Sequence, residues 1–160
     1  MTDHILSDPT INQADPIVMY LIVRESLGMG KTAAQCAHAS QMLMMKYMRS
    51  VWDHTGDVID GNLVPAPEKL IMFKNWLNTS YRKVVLRANE KDWAMLKVLT
   101  TSDLIDSQFS DYVLVIDAGL TEIAPNSETV IGLWPMRKSE VPKRVLRDFR
   151  CLNEPSVQDD

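Results

Sequence analysis

Cysteine is scarce in this sequence. The two cysteines among 160 residues, Cys36 and Cys151, fit neither a metal-binding spacing nor a disulfide framework. We therefore interpret both as ordinary packing thiols, and we predict no metal site. Histidine is nearly as rare, with His4 near the N-terminus, His38 in an alanine-rich segment and His54 among turn-forming residues. Since no Ser-His-Asp arrangement can be assembled from these residues, covalent catalysis is not expected.

Long apolar runs are also missing. No stretch approaches the roughly 20 apolar residues that a membrane-spanning helix needs, and the N-terminus lacks the basic start of a signal peptide. We therefore expect a cytoplasmic protein with no membrane contact. With 46% hydrophobic residues, the chain has the size and the apolar content of one globular domain.

Positive charge is absent from both ends of the chain. Residues 1–16 contain three acidic residues and residues 154–160 contain three more, with no Lys or Arg in either segment. Because the net charge of the chain is −4, the remaining residues carry a net charge of +2. We interpret this pattern as a flexible acidic head at 1–16, a folded domain at 17–152 and an acidic tail at 153–160. The overall acidity therefore does not exclude a nucleic-acid partner.

Strand and helix patterns alternate along the folded domain. Short β-branched runs predict strands, and segments rich in good helix formers predict helices. The predicted strands are 17–23, 83–88, 111–117 and 129–135; the predicted helices are 31–50, 68–77, 89–99 with Asn89 as its cap, and 139–152 with Ser139 as its cap; and 51–67 is predicted to be a loop excursion. This order predicts an α/β fold with helices on both faces of one sheet. The short connection before the last strand indicates that the last two strands are antiparallel.

Each of two polar segments directly follows a predicted strand. The first, GMGKTAAQCAHAS, occupies residues 28–40, and the second, DAGLTEIAPNSETVIGLWP, occupies residues 117–135. Because α/β folds bind ligands at the carboxyl ends of their strands, we expect Lys31, Asp117 and Thr121 to lie close together at one end of the sheet.

The first segment invites an interpretation as a phosphate-binding P-loop, with the strand that ends at Asp117 holding magnesium. The P-loop pattern requires a glycine five residues before Gly30, where this chain has Glu25. A carboxylate at that point would face the anion that the loop must bind. A nucleotide-binding enzyme is therefore the less favoured alternative.

Taken together, the two segments resemble the type II peptidyl-tRNA hydrolase family. Its members show a Gly-Lys-x-Ala-Ala-Gln opening of the first long helix, and an Asp-Ala-Gly-x-Thr-x-Ile-x-Pro-x-Ser-x-Thr-Val-x-Gly segment after a central strand. The resemblance covers most of residues 17–152 and implies a single three-layer domain with a mixed four-stranded sheet between helices. It also implies a homodimer without a cofactor that cleaves the ester joining a peptide to the 3′-terminal ribose of tRNA.

The resemblance gives catalytic roles to three residues of this chain. Asp117 would orient or deprotonate the attacking water, and Lys31 would stabilise the oxyanion or the tRNA phosphates. Thr121 lies four residues after Asp117, so its hydroxyl could hold the water or a ribose hydroxyl. Substrate binding is assigned to Gln35 and His38, which share one helical face with Lys31, and to Thr129.

One loop and three positions depart from the family pattern. The family often has a Gly-Lys-Gly-Lys loop, and the corresponding loop of this chain is shorter. Leu120 stands where the family often has a basic residue, so part of the RNA contact that the resemblance implies is not expected at this position. Asn126 replaces a glycine and tolerates the left-handed turn conformation that glycine supplies. Trp134 also replaces a glycine, and it is predicted to pack at a dimer surface or, less favoured, to stack on a substrate base.

The predicted last helix carries a basic stripe. Lys143, Arg147 and Arg150 fall at i, i+4 and i+7, so they would contact successive phosphates of the tRNA. The alternative is that they form an ordinary solvent-exposed helix face that binds no partner. A third function class also stays open at this point, since a non-catalytic module could bind tRNA with the same residues.

Overall fold

The computed structural model describes residues 14–54, 58–59, 62–63, 67–79, 81–101, 111–119, 124–141 and 150–151. Three helices and eight strands occur in these parts of the chain. In chain order they are β1 (Ile17–Arg24), α1 (Met29–His54), β2 (Val58–Ile59), β3 (Asn62–Leu63), α2 (Glu68–Thr79), β4 (Lys83–Ala88), α3 (Glu90–Thr101), β5 (Tyr112–Asp117), β6 (Ser127–Leu133), β7 (Met136–Arg137) and β8 (Arg150–Cys151).

One mixed sheet organises the fold around β1. The strand order is β5-β6-β1-β4-β8, and β7 pairs with the beginning of β1. β4 is parallel to β1, whereas β6 is antiparallel to both β1 and β5. The predicted antiparallel pairing of the last two predicted strands is therefore confirmed. β1, β4 and β5 run in one direction, so their carboxyl ends lie at the same edge of the sheet.

The two faces of β1 pack against different helices. Met19, Leu21 and Val23 belong to a core with α1 and α2, while Tyr20 and Ile22 belong to a second core with α3. Side chains of a strand alternate between faces, which explains why a continuous apolar run fits a central strand covered on both sides. The predicted three-layer α/β domain is confirmed, although its mixed sheet contains β7 and β8 in addition to the four predicted strands.

An aromatic cluster joins α1 and α2 to the end of β6. Phe73 stacks on Tyr47 with ring centroids 4.4 Å apart and meets Trp134 edge-on at 4.7 Å. Trp134 is 5% exposed, and its indole N–H donates to the Lys69 carbonyl at 2.9 Å. Trp134 therefore packs as predicted and is not exposed for stacking on a base. Its packing partners lie in the core of this chain, and not at the predicted dimer surface.

Cys36 lies in the core that α1 forms with the sheet. Burial raises the pKa of its thiol to about 11, so the thiol is neutral at physiological pH. This confirms a packing role for Cys36, whereas the side chain of Cys151 is outside the described residues.

The predicted helix over 139–152 is wrong where the structure describes it. A single 3-10 turn at Lys138–Glu140 ends at Val141, whose φ of −67° and ψ of 125° are extended. A proline follows Val141, and the residue before a proline is driven out of the helical region. Ser139 is not a helix cap, because its N–H and hydroxyl donate to Asp15. Arg150 lies in β8, where it pairs with Arg87.

The predicted loop over 51–67 also needs correction. α1 continues to His54, and β2 pairs with β3 as a small antiparallel hairpin. Residues 55–57, 60–61 and 64–66 lie outside the described residues, as do 1–13 of the predicted head and all of the predicted tail. No helix in the part of the chain that the structure describes is long and apolar enough to cross a membrane.

Candidate functional site

A buried ion pair joins the two polar segments. Lys31 lies in the first turn of α1, and Asp117 is the last residue of β5. Lys31 Nζ is 3.1 Å from Asp117 Oδ2, and the two side chains are 8% and 9% exposed. Because α1 follows β1 and packs on β5 and β6, it brings Lys31 to the sheet edge where β5 ends. The expected proximity of these two residues is thus present in the structure.

Both carboxylate oxygens of Asp117 accept hydrogen bonds. The Gly119 N–H donates to Oδ1 at 2.6 Å, and the Gln35 amide donates to Oδ2 at 2.5 Å. The Gly119 bond, together with the charge of Lys31, holds the pKa of Asp117 below its ordinary value against the opposing effect of burial. Asp117 is therefore an ionised carboxylate at neutral pH.

Gln35 connects Asp117 to a buried hydroxyl. Thr129 Oγ1 lies 3.1 Å from Gln35 Oε1 and 3.1 Å from the Val115 carbonyl, and Thr129 is fully buried. A carboxylate can only accept, so the Gln35 NH₂ group must point to Asp117 and the Gln35 oxygen to Thr129. The Thr129 hydroxyl then donates its single proton to Gln35 or to Val115. The chain Thr129–Gln35–Asp117 fixes the direction of the carboxylate.

Two residues after β5 with positive φ shape the Asp117 site. Gly119 has a φ of +74°, and a Cβ built on it would lie 2.4 Å from the Pro125 nitrogen. Asn126 has a φ of 63°, and its N–H donates to the Asp117 carbonyl at 2.8 Å. The predicted tolerance of asparagine for a left-handed conformation is thereby confirmed. Gly119 holds the carboxylate, and no sequence argument identified it as a donor.

Gly119→Ala should lower the free energy of unfolding by about 1–3 kcal/mol, because alanine would be strained at positive φ and would collide with the Pro125 backbone. Urea denaturation with an unchanged slope measures this loss. Gly30→Ala is the matched control, since a Cβ at Gly30 meets nothing within 4 Å and alanine suits a helix. Equal midpoints for both variants would contradict the assigned strain.

An open groove leads away from Lys31 and Asp117. It has a volume of about 1470 Å³ and lies between α1 and β5. His38 lines it as an exposed side chain one turn beyond Gln35, so the structure brings together Lys31, Gln35 and His38 as their spacing predicts. The groove was not predicted from the sequence, although the methionines of α1 are the feature of the sequence that could have indicated it.

Other predicted site residues are not placed by the structure. Thr121, Lys143 and Arg147 lie outside the described residues. The backbone of Arg150 belongs to β8, so the three basic residues do not form one continuous helical stripe. Within the described ranges, no group of three His, Cys, Asp or Glu side chains could hold a metal ion.

The P-loop alternative does not fit this geometry. In a P-loop the lysine binds the β- and γ-phosphates of a nucleotide. Here the Lys31 ammonium is directed at Asp117, the carboxylate that the alternative assigns to magnesium. An ammonium at that distance would oppose a second cation at the same carboxylate.

Comparisons with known proteins agree with the two polar segments. The model of a family described as peptidyl-tRNA hydrolase PTH2 matches residues 17–152. Peptidyl-tRNA hydrolase 2 of Saccharomyces cerevisiae is 34% identical over 126 residues, covering 76% of this chain and 51% of that protein. Peptidyl-tRNA hydrolase of Methanopyrus kandleri is 31% identical over 134 residues, covering 82% of this chain and 95% of that protein.

A human relative shows the same partial coverage as the yeast protein. The human protein named peptidyl-tRNA hydrolase 2, mitochondrial, is 33% identical over 119 residues, covering 73% of this chain and 54% of that protein. The chain therefore spans about half the length of the yeast and human relatives and nearly all of the Methanopyrus protein.

Proposed function

Because this chain belongs to the peptidyl-tRNA hydrolase PTH2 family, we propose that it hydrolyses the ester between a peptide and the 3′-terminal ribose of tRNA. This reaction would recycle tRNA from stalled or dropped-off peptidyl-tRNA. The observation that carries the proposal is the buried Lys31–Asp117 pair at the end of an open groove. Both residues belong to the segments that resemble the family.

The charges of the pair suit ester hydrolysis. An ionised Asp117 can accept a hydrogen bond from water and direct a lone pair of that water at the ester carbonyl. Its lowered pKa makes it a weak base, so we assign it chiefly to orienting the water. The Lys31 ammonium, next to the positive end of α1, can stabilise the negative charge that develops on the carbonyl oxygen or a nearby phosphate.

The other assigned residues extend this proposal. Thr121 is proposed to hold the attacking water or a ribose hydroxyl, and His38 to contact substrate within the groove. Lys143, Arg147 and Arg150 stay candidates for the tRNA backbone, as basic residues of one short segment. A homodimer and a cytoplasmic location are proposed on the family resemblance and on the sequence alone.

Release of labelled peptide from purified peptidyl-tRNA tests the proposed function directly. We expect multiple turnovers without added nucleotide. Binding of tRNA without peptide release would instead support a non-catalytic module. Magnesium-dependent nucleotide binding would support the P-loop alternative.

Thr129→Val should lower kcat by about tenfold, since misplacing a catalytic group costs activity even when the group itself is retained. Valine keeps the size and branching of threonine but lacks the hydroxyl that lies 3.1 Å from Gln35 Oε1, so the amide loses a polar contact behind Asp117. Thr129→Ser keeps the hydroxyl and should restore most of kcat. Equal kcat in the valine and serine variants would show that Thr129 acts only as a packing residue.

A further inference from the structure

The groove beside the Lys31–Asp117 pair has an apolar floor and one backbone wall. Met42 and Met45 of α1 are 41% and 46% exposed. Both line the groove, which extends along α1 from Gly30 to Ser50. Exposed apolar side chains in one concave surface indicate a binding surface.

The backbone wall is the outer edge of β5. Among the described strands, β5 pairs with β6 on one side and ends the sheet on the other. The carbonyls of Asp111 and Asp117 accept from Trp134 and Asn126, on the β6 side. Since backbone groups alternate in direction along a strand, those of Leu114 and Ile116 face the groove. An edge of this kind can pair with an extended chain.

We propose that the groove binds the peptide part of peptidyl-tRNA as an extended strand along the outer edge of β5. The proposal rests on the proposed function and adds a peptide subsite to it. β5 runs toward Asp117, and the esterified carbonyl at the peptide's C-terminus must lie beside Asp117. The peptide is therefore parallel to β5, with its N-terminal part toward Tyr112.

The chemistry of the groove suits peptides of any sequence. Main-chain hydrogen bonds to a strand edge do not depend on side chains. Methionine side chains are flexible and polarisable, so Met42 and Met45 adapt to different partners. A hydrolase that clears tRNA of varied peptides needs this tolerance.

The lysine in the middle of the groove is already paired within the chain. Lys46 lines the groove, but its ammonium lies 3.1 Å from Asp111 Oδ1 and 3.4 Å from the Tyr112 carbonyl. This pairing neutralises a central cation and occupies the Tyr112 end of the edge. At roughly 3.3 Å per residue, the edge from Leu114 to Asp117 accommodates about four peptide residues.

The test compares two substrates on the same tRNA, one carrying a single N-acetylated amino acid and one carrying an N-acetylated tetrapeptide. Wild-type kcat/KM should be about tenfold higher for the tetrapeptide, as expected from about two additional net hydrogen bonds. In the Met42→Ser, Met45→Ser double variant this ratio should fall to about threefold or below, because the peptide loses apolar contacts that hold it against the strand edge. Met48→Ser is the matched control, because Met48 is a 56% exposed methionine of α1 that does not line the groove. It should keep the tenfold ratio.

A second measurement probes the backbone pairing. Replacing the amide nitrogens of the tetrapeptide by ester oxygens removes N–H donors and keeps the side chains. This substrate should lose most of the tenfold advantage in the wild type, as expected for lost backbone hydrogen bonds.

Four outcomes would overturn the peptide subsite. The first is equal wild-type kcat/KM for the two substrates, and the second is an unchanged ratio in the Met42→Ser, Met45→Ser variant despite lower activity on both substrates. The third is an equal loss of the ratio in Met48→Ser. The fourth is a change of oligomeric state of the Met42→Ser, Met45→Ser variant during sedimentation. The second would assign the groove to tRNA and the fourth to a second copy of the chain. If the wild type cleaves neither substrate, the proposed function itself fails.

Discussion

Asp117→Asn should lower kcat for peptidyl-tRNA hydrolysis by about 100-fold or more, because a positioned acid–base group typically contributes a factor of that order. Asparagine keeps the side-chain shape and an oxygen that can accept from the Gly119 N–H. It removes the negative charge that lies 3.1 Å from Lys31. Single-turnover release of labelled peptide at saturating enzyme measures the chemical step apart from tRNA binding.

Glu128→Gln is the matched control for this prediction. Glu128 also accepts from a lysine, with Lys97 Nζ at 2.6 Å, but this pair is more exposed and does not line the groove. Its loss should change kcat by less than about twofold, as expected for a surface ion pair. Near-normal kcat in Asp117→Asn would remove Asp117 from the mechanism.

The pKa of Asp117 adds a pH signature. Because the folded-state pKa is lowered, the stabilising effect of the ionised carboxylate is present above the unfolded-state pKa. That effect is lost as the pH falls through the folded-state pKa. Wild-type kcat should therefore show no acid limb from Asp117 between pH 7 and about pH 5. In Asp117→Asn, the free energy of unfolding should lack the decrease that the wild type shows as Asp117 becomes protonated at low pH.

The centre of the fold could be predicted because local pattern and tertiary context agree there. The apolar run of β1 has no polar position to expose, so it is buried on both faces in any arrangement that folds. Asn89 accepts from the Asp92 N–H at 2.9 Å, the hydrogen bond expected of a helix cap. Lys31 and Asp117 could be predicted to meet because β1 and β5 run in the same direction and each residue lies at or beyond the carboxyl end of one of these strands.

The end of the chain could not be predicted from periodicity. Apolar and basic residues after Ser139 follow a helical spacing, but Pro142 imposes an extended conformation on Val141. Pairing of Arg150 with Arg87 joins residues far apart in sequence, and helical spacing carries no information on it. At Arg150, a long-range strand pair therefore overrode the local pattern.

Part of the site also depended on tertiary structure. Gln35 and Thr129 were predicted as substrate-binding residues, yet both are buried, at 7% and 0% exposed, and contact each other. Their spacing in sequence gives no sign of this contact. Burial favours a positioning role behind Asp117 for both residues, and substrate contact for the exposed His38.

Lys31→Met should lower kcat by about 100-fold, in the range found when one donor to a developing oxyanion is removed. Methionine matches the length of the lysine stem and removes the ammonium. A lysine in the first turn of a helix is commonly solvent-exposed, whereas the side chain of Lys31 is only 8% exposed. Asp117 keeps the hydrogen bonds from Gly119 and Gln35 in this variant, so the fold should persist.

The two possible roles of Lys31 give different kinetics. Stabilising the oxyanion lowers kcat with little change in KM, whereas binding a tRNA phosphate raises KM and flattens its salt dependence. Lys97→Met removes a lysine from a more exposed ion pair and should leave both constants within about twofold. If Lys31 and Asp117 act as one unit, kcat of the Lys31→Met, Asp117→Asn double variant should be little lower than kcat of Asp117→Asn alone. Fully additive losses would show that the two residues act independently, despite their contact.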